Sequence, residues 1–370
     1  MKINSRKVCE KGIMIQAERM RITRQQDVAD VIGRDLPWQK LAGSRVFITG
    51  GGGFLGGYLV RTLLALNSSR ELDRAIRVTV LIRNAAKARS NLMDVLNDPH
   101  LEWRQADLSD ISKVDAADSN YVIHAASQAS PRFYGCDPVG TLLPNAVGTA
   151  ALLEGLRASS DPRGMLFVSS SEVYGDVPRS QSLHECAYGI LNPTETRACY
   201  AEGKRFGEAL CAAWYHQYKL PTFIVRPFHT YGPGLQENDG RVFADFPFNV
   251  IRGEDIVMNS DGSPRRAFCY VSDAIAGVFT VLLKGEPAVP YNVANDAGEL
   301  SVYELAQLLV SLYPEKRLSV VRRQSAPSAS QVKGISSELL PDTARLRALG
   351  WRATVDPASG FRRMIDAYLA

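Results

Sequence analysis

The chain has no Cys-x-x-Cys pair and no marked excess of either charge. Its six cysteines, at 9, 136, 186, 199, 211 and 269, and its five histidines are scattered without metal-ligand spacing, so no metal site is expected. Six unpaired thiols fit a reducing compartment, and the expected location is cytoplasmic. The 43 Lys and Arg against 39 Asp and Glu leave a net charge of only +4, with the signs interspersed. That balance argues against nucleic-acid and membrane-surface partners, while leaving room for a local basic pocket. The N-terminus lacks an apolar h-region, and no apolar run approaches membrane-spanning length. There is no internal repeat and no low-complexity segment.

What is present is a globular composition, 45% hydrophobic and 22% charged over 370 residues, long enough for two domains or one large domain with a lobe. Residues 1–42 are polar and weakly periodic, and are read as an N-terminal arm that wraps the surface or a partner subunit, with a short helix before Gly33. From Ser44 onward apolar runs such as "RVFITG", "RVTVLIRN", "YVIHAAS", "GMLFVSSSEVYG" and "PTFIVRPFHTYG" alternate with helical patterns. Continuous β-branched runs alternating with helices predict a doubly wound, Rossmann-like parallel sheet with helices on both faces. The dinucleotide-binding domain is placed at 43–230, with 269–298 returning to it. Segments 231–268 and 299–370 are read as a smaller, partly discontinuous α/β substrate lobe, including a loose Ser- and Arg-rich stretch before the last helices.

The stretch "TGGGGFLGG", from Thr49 to Gly57, sits between a strand and a helix. Gly50 allows the tight turn, Gly53 lets backbone approach a pyrophosphate, and Gly56 lets the helix pack on the sheet. Phe54 and Leu55 open the helix whose amides and dipole would attract the diphosphate. The second strand ends at Arg83, with Lys87 one turn on, where an acidic residue would favour NAD. A permanently charged guanidinium suits a 2′-phosphate, so NADP(H) is favoured and NAD(H) remains possible. Asp107 and Leu108 after the third strand, and Ala125 and Ala126 after the fourth, complete the expected cofactor set; Asp107 could accept from the adenine amine or simply cap a loop.

Within "CYAEGKR", Tyr200 and Lys204 are four residues apart, one turn on a helical face. The preceding strand ends in Ser169, Ser170, Ser171 and Glu172. In a doubly wound sheet both elements reach the carboxyl edge where chemistry gathers. The reading is acid–base catalysis: Lys204 and the cofactor's positive ring lower the Tyr200 pKa, Tyr200 moves a proton at a sugar hydroxyl, and Ser170 fixes that oxygen.

At these residues the chain resembles the extended short-chain dehydrogenase/reductases that modify nucleotide sugars. The likeness is carried by "TGGGGFLG", "HAAS", "SSSEVYG", "YAEGK", "RPFHTYGPG" and "RRAFCYVSDA", and runs from about Gly43 to the C-terminus. It is nearest to the UDP-glucuronate decarboxylase branch, through "ASPRFYGCDPVGTLLPNAVGT", "CYAEGKR" and "NDGRV". The resemblance implies a nucleotide-diphosphate sugar as substrate, Arg266 at its diphosphate, Arg241 near base or phosphates, and a homodimer through a four-helix bundle. Two departures stand out. Ser171 replaces the aspartate of the 4,6-dehydratases, which argues against dehydration while Glu172 remains for positioning or proton transfer. His229 replaces an asparagine near substrate.

The reaction expected is hydride transfer at sugar C4. Arg83 and its NADP-type pocket favour a 4-ketoreductase or C4 epimerase, with UDP-glucuronate decarboxylation as the alternative. An inactive dinucleotide sensor or scaffold is the reading from another class, disfavoured by the intact Tyr200–Lys204 pair.

Overall fold

The computed structural model describes residues 2–177, 183–323 and 340–369, and side-chain statements begin at Met14. The core of the expected loose Ser- and Arg-rich stretch, 324–339, lies outside the described residues.

A long helix, α1 (Lys2–Ile32), precedes the alternation. Then follow β1 (Arg45–Thr49), α2 (Phe54–Leu66), β2 (Arg77–Ile82), α3 (Ala85–Asn91), β3 (Leu101–Gln105), β4 (Tyr121–His124), α4 (Arg132–Cys136), α5 (Pro138–Arg157), β5 (Gly164–Val168), α6 (Cys199–Tyr218) and β6 (Thr222–Pro227). The second half contains β7 (Thr230–Tyr231), α7 (Val242–Arg252), β8 (Ile256–Met258), β9 (Arg265–Ala267), β10 (Cys269–Tyr270), α8 (Val271–Lys284) and β11 (Pro290–Val293). It closes with β12 (Glu299–Ser301), α9 (Val302–Ser311), β13 (Val320–Arg322), α10 (Ala344–Ala348) and α11 (Pro357–Asp366).

Seven strands make one sheet in the order β11-β6-β5-β4-β1-β2-β3, and every pairing is parallel. Strands β4 and β5 are buried at every position, which is why they read as unbroken apolar runs. The chain moves outward from β1 to β3, then returns to β4 on the other side of β1. That reversal between β1 and β4 opens a crevice at their carboxyl ends, where open α/β sheets bind ligands. Strand β11 adds to the edge beside β6 after an excursion through α7 and α8.

The remaining strands form three short ladders, β7 with β10, β8 with β13 and β9 with β12. Aromatic packing fills the space between them and α11: Tyr231 stacks on Phe361 with ring centroids 3.8 Å apart, and Phe268 meets Phe361 edge-on at 5.9 Å. A capping box between Ser301 and Glu304 starts α9.

Two expectations need correction. The N-terminal segment, expected as an arm with a short helix before Gly33, is a 31-residue helix whose C-terminal part lies on α2 and α8 of the same chain, burying Val28 and Val31. Its weak apolar periodicity hid this, because the docked face is polar as well: Asp27 accepts from Tyr58 at 2.8 Å and Tyr270 at 3.2 Å. The second correction concerns α5, 20 residues long and apolar enough to span a membrane by length and composition. It packs on α6 and β4 and buries Thr141, Asn145 and Thr149, as a core helix does. Pro144 leaves the Gly140 carbonyl without its helical donor, and the Gln128 amide supplies one at 3.3 Å.

Candidate active site

The crevice above β1 and β4 is a cleft of about 430 Å³. At one end lies the turn from β1 into α2. Gly50 has φ +73, and a Cβ there would sit 2.6 Å from the Ala126 nitrogen; a Cβ on Gly56 would sit 2.1 Å from the Gly50 carbonyl oxygen. Side chains at either position would collide with backbone and force the turn and the start of α2 apart. Gly53 is the N-cap of α2, is extended, and offers no side-chain cap, so the first amides of α2 open toward the cleft. This backbone cradle fits the diphosphate of a dinucleotide.

The expected cofactor residues all line this cleft: Gly50, Gly53, Phe54, Leu55, Gly56, Arg83, Asp107, Leu108, Ala125, Ala126, Tyr200 and Lys204. Arg83 is not alone there. Its guanidinium stands 3.9 Å from Asp107, and both are largely exposed. Asp107 uses its other carboxylate oxygen to cap its own loop, accepting from the Ser109 amide at 2.9 Å and hydroxyl at 2.8 Å. Those bonds, ahead of the Arg83 charge, hold its pKa below the usual carboxylate value. The Gln128 side-chain oxygen is buried at the cleft wall without a hydrogen-bond partner among the described residues, an acceptor that suits a ligand donor.

Helix α6 brings Tyr200 and Lys204 to the middle of the cleft, opposite Ser170 at the end of β5. The Lys204 ammonium donates to the Val168 carbonyl at 2.6 Å and lies 5.9 Å from the Tyr200 ring centre. Burial pushes Lys204 down to about 7, against the pull of Glu208. Burial also pushes Tyr200 up to about 12; the Ser170 hydroxyl beside it acts in the opposite direction, Glu172 raises it further, and Arg241 lowers it. The expected lowering of the phenol is assigned to Lys204 together with the cofactor's ring; in the protein alone burial raises it. Lys204 is committed to a backbone carbonyl, and desolvation dominates both groups.

Tyr134 of α4 stacks on Tyr200, with centroids 5.2 Å apart and planes 14° from parallel. Arg197, in the turn before α6, sits 5.9 Å from the Tyr134 ring and pairs with Glu172 at 3.3 Å. Arg241 also lines the cleft and is held by Asp239, whose backbone carbonyl accepts from the Ser130 hydroxyl at 2.6 Å. Burial opposes the Arg241 charge, but the Asp239 bond raises its pKa overall.

Four expected residues lie off the cleft wall: Ser171, Glu172, His229 and Arg266. Ser171 and Glu172 begin the short helical turn Ser171–Tyr174, whose N-cap is Ser170, accepting from the Glu172 amide at 3.2 Å. His229 is wedged between Phe243 and Phe268, at 5.7 and 5.9 Å. Burial, with the Arg266 and Arg241 charges, pushes it down to about 3, so the ring is neutral. Its Nδ1 is shielded and has no hydrogen-bond partner among the described residues. Arg266 donates to the Arg265 carbonyl at 2.8 Å; burial lowers its pKa while the Glu172 charge raises it. Arg197, Arg241 and Arg266 thus approach one end of the cleft, with Glu172 and Asp239 as the carboxylates among them.

Tyr134, Arg197, Gln128 and Asp239 were not foreseen. Tyr134 lay within the quoted "ASPRFYGCDP", but a stacking partner brought from another helix has no spacing signal.

A sequence model of the family described as "NAD dependent epimerase/dehydratase family" matches residues 46–294. UDP-glucuronic acid decarboxylase 6 of Arabidopsis thaliana is 33% identical over 331 residues, 88% of each chain. UDP-glucuronic acid decarboxylase 1 of Danio rerio is 31% identical over 325 residues, 88% of this chain and 72% of that one. Among solved structures, DesIV from Streptomyces venezuelae, a dTDP-glucose 4,6-dehydratase with NAD bound, superposes with a TM-score of 0.73 at 26% identity, covering 88% and 96% of the two chains.

Proposed function

Since the chain belongs to the NAD-dependent epimerase/dehydratase family, we propose that it oxidises the C4 hydroxyl of UDP-glucuronate and releases the sugar carboxylate as CO2. The observation that carries this reading is the acid–base set. Tyr200, Ser170 and Lys204 converge on one cleft, while Ser171 stands where dehydration would need a carboxylic acid and Glu172 is paired with Arg197. Removal of water would need that missing acid. Loss of CO2 from a C4 ketone bearing a C5 carboxylate needs none, because the ketone itself accepts the electron pair.

A nicotinamide dinucleotide at the glycine turn supplies the two-electron acceptor and donor at C4. Tyr200 takes the O4 proton as the ketone forms, with Ser170 holding that oxygen. The C5–carboxyl bond then breaks, its electron pair moves toward the C4 oxygen, and Tyr200 holds the proton that this oxygen needs. C5 takes a proton from solvent in place of the lost carboxyl, and return of the hydride to C4 with the Tyr200 proton to O4 would leave a UDP-pentose. Arg266 and Arg241 are the cations available for the nucleotide diphosphate and the uronate, and they give an anionic sugar a favourable field. His229 is read as a neutral buried ring packed behind this end. The phenol near 12 also carries a requirement: it must be lowered before it can act as a base, which a cationic ring in the cleft would do.

The ketoreductase and epimerase expectation rested on Arg83 as a 2′-phosphate cation. With Asp107 beside it, that basis weakens, and we read NAD as the cofactor, recycled within each turnover. Segments 231–268 and 299–370 are read as the substrate lobe. A second copy is inferred to cover α5 and α6, whose outer faces expose Val139, Leu142, Val147 and Phe206; light scattering that gives a monomer mass would refute it.

The test is incubation with NAD and UDP-glucuronate, reading product mass and nicotinamide absorbance together. Loss of the mass of carbon dioxide with no net absorbance change supports the proposal. An unchanged mass with a new C4 stereochemistry refutes it in favour of epimerisation.

A further inference from the structure

Both ends of the chain close on one loop of the cleft wall. Gly234, Leu235 and Gln236 of that loop line the cleft. From the C-terminus, the Tyr368 hydroxyl accepts from the Gly234 amide at 3.0 Å and donates to the Leu235 carbonyl at 2.5 Å. From the N-terminus, Arg24 of α1 lies against Gly234. A Cβ there would sit 3.2 Å from the Arg24 guanidinium and 3.4 Å from the Phe54 ring, and Gly234 has φ +109. Arg24 also reaches the Asn91 carbonyl at 3.5 Å, and the Asn91 amide donates to the Gly52 carbonyl at 2.7 Å. One cation therefore backs the glycine turn, the first residue of α2 and the 234–236 loop. The ends also hold each other: Arg19 donates to the Leu369 carbonyl at 3.3 Å, and Arg363 pairs with Asp30 at 2.7 Å.

The charge at Arg24 has no carboxylate within ion-pair distance among the described residues. Its neighbour Arg61 takes both Asp94 oxygens, at 2.7 and 2.6 Å, so that carboxylate acts on Arg24 only at longer range. The Arg24 Nε is buried without a partner among the described residues. A covered guanidinium lacking a counter-ion is unfavourable, and an anion at the adjacent turn would offset that. Neither Arg24 nor Tyr368 falls within the family-matched segment, so the family pattern does not reveal them.

We propose that Arg24 and Tyr368 form a clasp, built from the two chain ends, that positions the glycine turn and the 234–236 loop around the dinucleotide. Arg24 supplies attraction to the diphosphate, and Tyr368 fixes the loop over it. Both are positioning residues, and the inference rests on the reading of this cleft as the cofactor site. It makes α1 a part of the binding site, so cofactor binding and α1 docking reinforce each other.

The experiment titrates the full chain with NAD, ADP, adenosine and UDP by calorimetry, and follows NAD release by stopped flow. Arg24→Gln is expected to weaken NAD and ADP about tenfold while leaving adenosine and UDP within about twofold. Arg24→Lys should recover part of the loss. Tyr368→Phe, which keeps the ring, should speed NAD release about fivefold and weaken adenosine as well as ADP, since it acts through the loop. Thermal melting confirms that each variant is folded. Undiminished NAD affinity in both folded variants, or equal weakening of UDP and NAD, overturns the clasp. A wild-type chain that binds no NAD overturns the cofactor reading itself, an outcome distinct from a variant that binds as well as wild type.

Discussion

The two ends of the cleft are built on opposite principles. At the end holding the glycine turn the cradle itself is backbone: the turn, the uncapped amides of α2, and the Ala125–Ala126 strand end packed on Gly50, with Arg83 and Asp107 at its rim. At the other end the cleft is lined by the side chains of Tyr200 from α6 and Arg241 before α7, backed by Tyr134 from α4, which stacks on Tyr200, and by the Arg197–Glu172 pair. Backbone recognition tolerates no added atom and favours an anion through fixed amides rather than through side chains. Side-chain recognition is tuned by charge and can drift in specificity while the fold stays fixed. That is how one scaffold holds a common cofactor and many sugars.

The sharpest break in this comparison is Tyr200→Phe, at the junction of the two ends. Turnover should fall by about a thousandfold while NAD affinity stays nearly unchanged, measured by steady-state rates and calorimetry. Retained turnover would remove the phenol from the chemistry. Next comes Gly56→Ala, whose methyl would meet the Gly50 carbonyl at 2.1 Å. NAD affinity should fall by about a hundredfold with UDP binding spared, because only the backbone end is filled. If UDP weakens equally, the ends are not independent.

These two predictions mark what could be read in advance. The glycine turn and the Tyr200–Lys204 pair are short-range patterns whose spacing is fixed by turn and helix geometry, so they are visible in sequence. The Tyr134 stack and the Arg197–Glu172 pair join segments 66 and 25 residues apart, and nothing in local spacing records such a meeting. Helix α1 escaped for a different reason: Arg24 and Asp27 lie on its docked face, where a periodicity argument looks for apolar residues. Arg83 was legible as a charge, while Asp107, arriving from the next strand, could not be placed beside it.

A smaller effect probes that last point. Asp107→Ala should raise NADP affinity relative to NAD by about fivefold, since it frees Arg83 for a 2′-phosphate. An unchanged ratio in competitive titrations would show that the pair does not set preference. The smallest effect belongs to Asp27, whose carboxyl is pushed up to about 7 by burial, with Tyr58, Tyr270 and Arg363 acting against the shift and Asp30 adding to it. A raised carboxyl favours the protonated form in the folded chain. Its contribution is full below the ordinary carboxylate range and is lost as pH rises through about 7. Asp27→Asn should therefore flatten the decline in stability between the ordinary carboxylate range and neutrality, by ~2 kcal/mol, in denaturant melts taken from about pH 4 to 8. A parallel decline in both proteins would acquit this residue.

The most direct measurement is release of labelled carbon dioxide from UDP-glucuronate labelled at its carboxyl carbon, with wild-type chain and Tyr200→Phe run side by side in the presence of NAD. The account expects labelled gas in step with UDP-pentose formation from wild type and essentially none from the variant. Label retained in a sugar nucleotide that has nonetheless been altered at C4, or gas released equally by the variant, would contradict it.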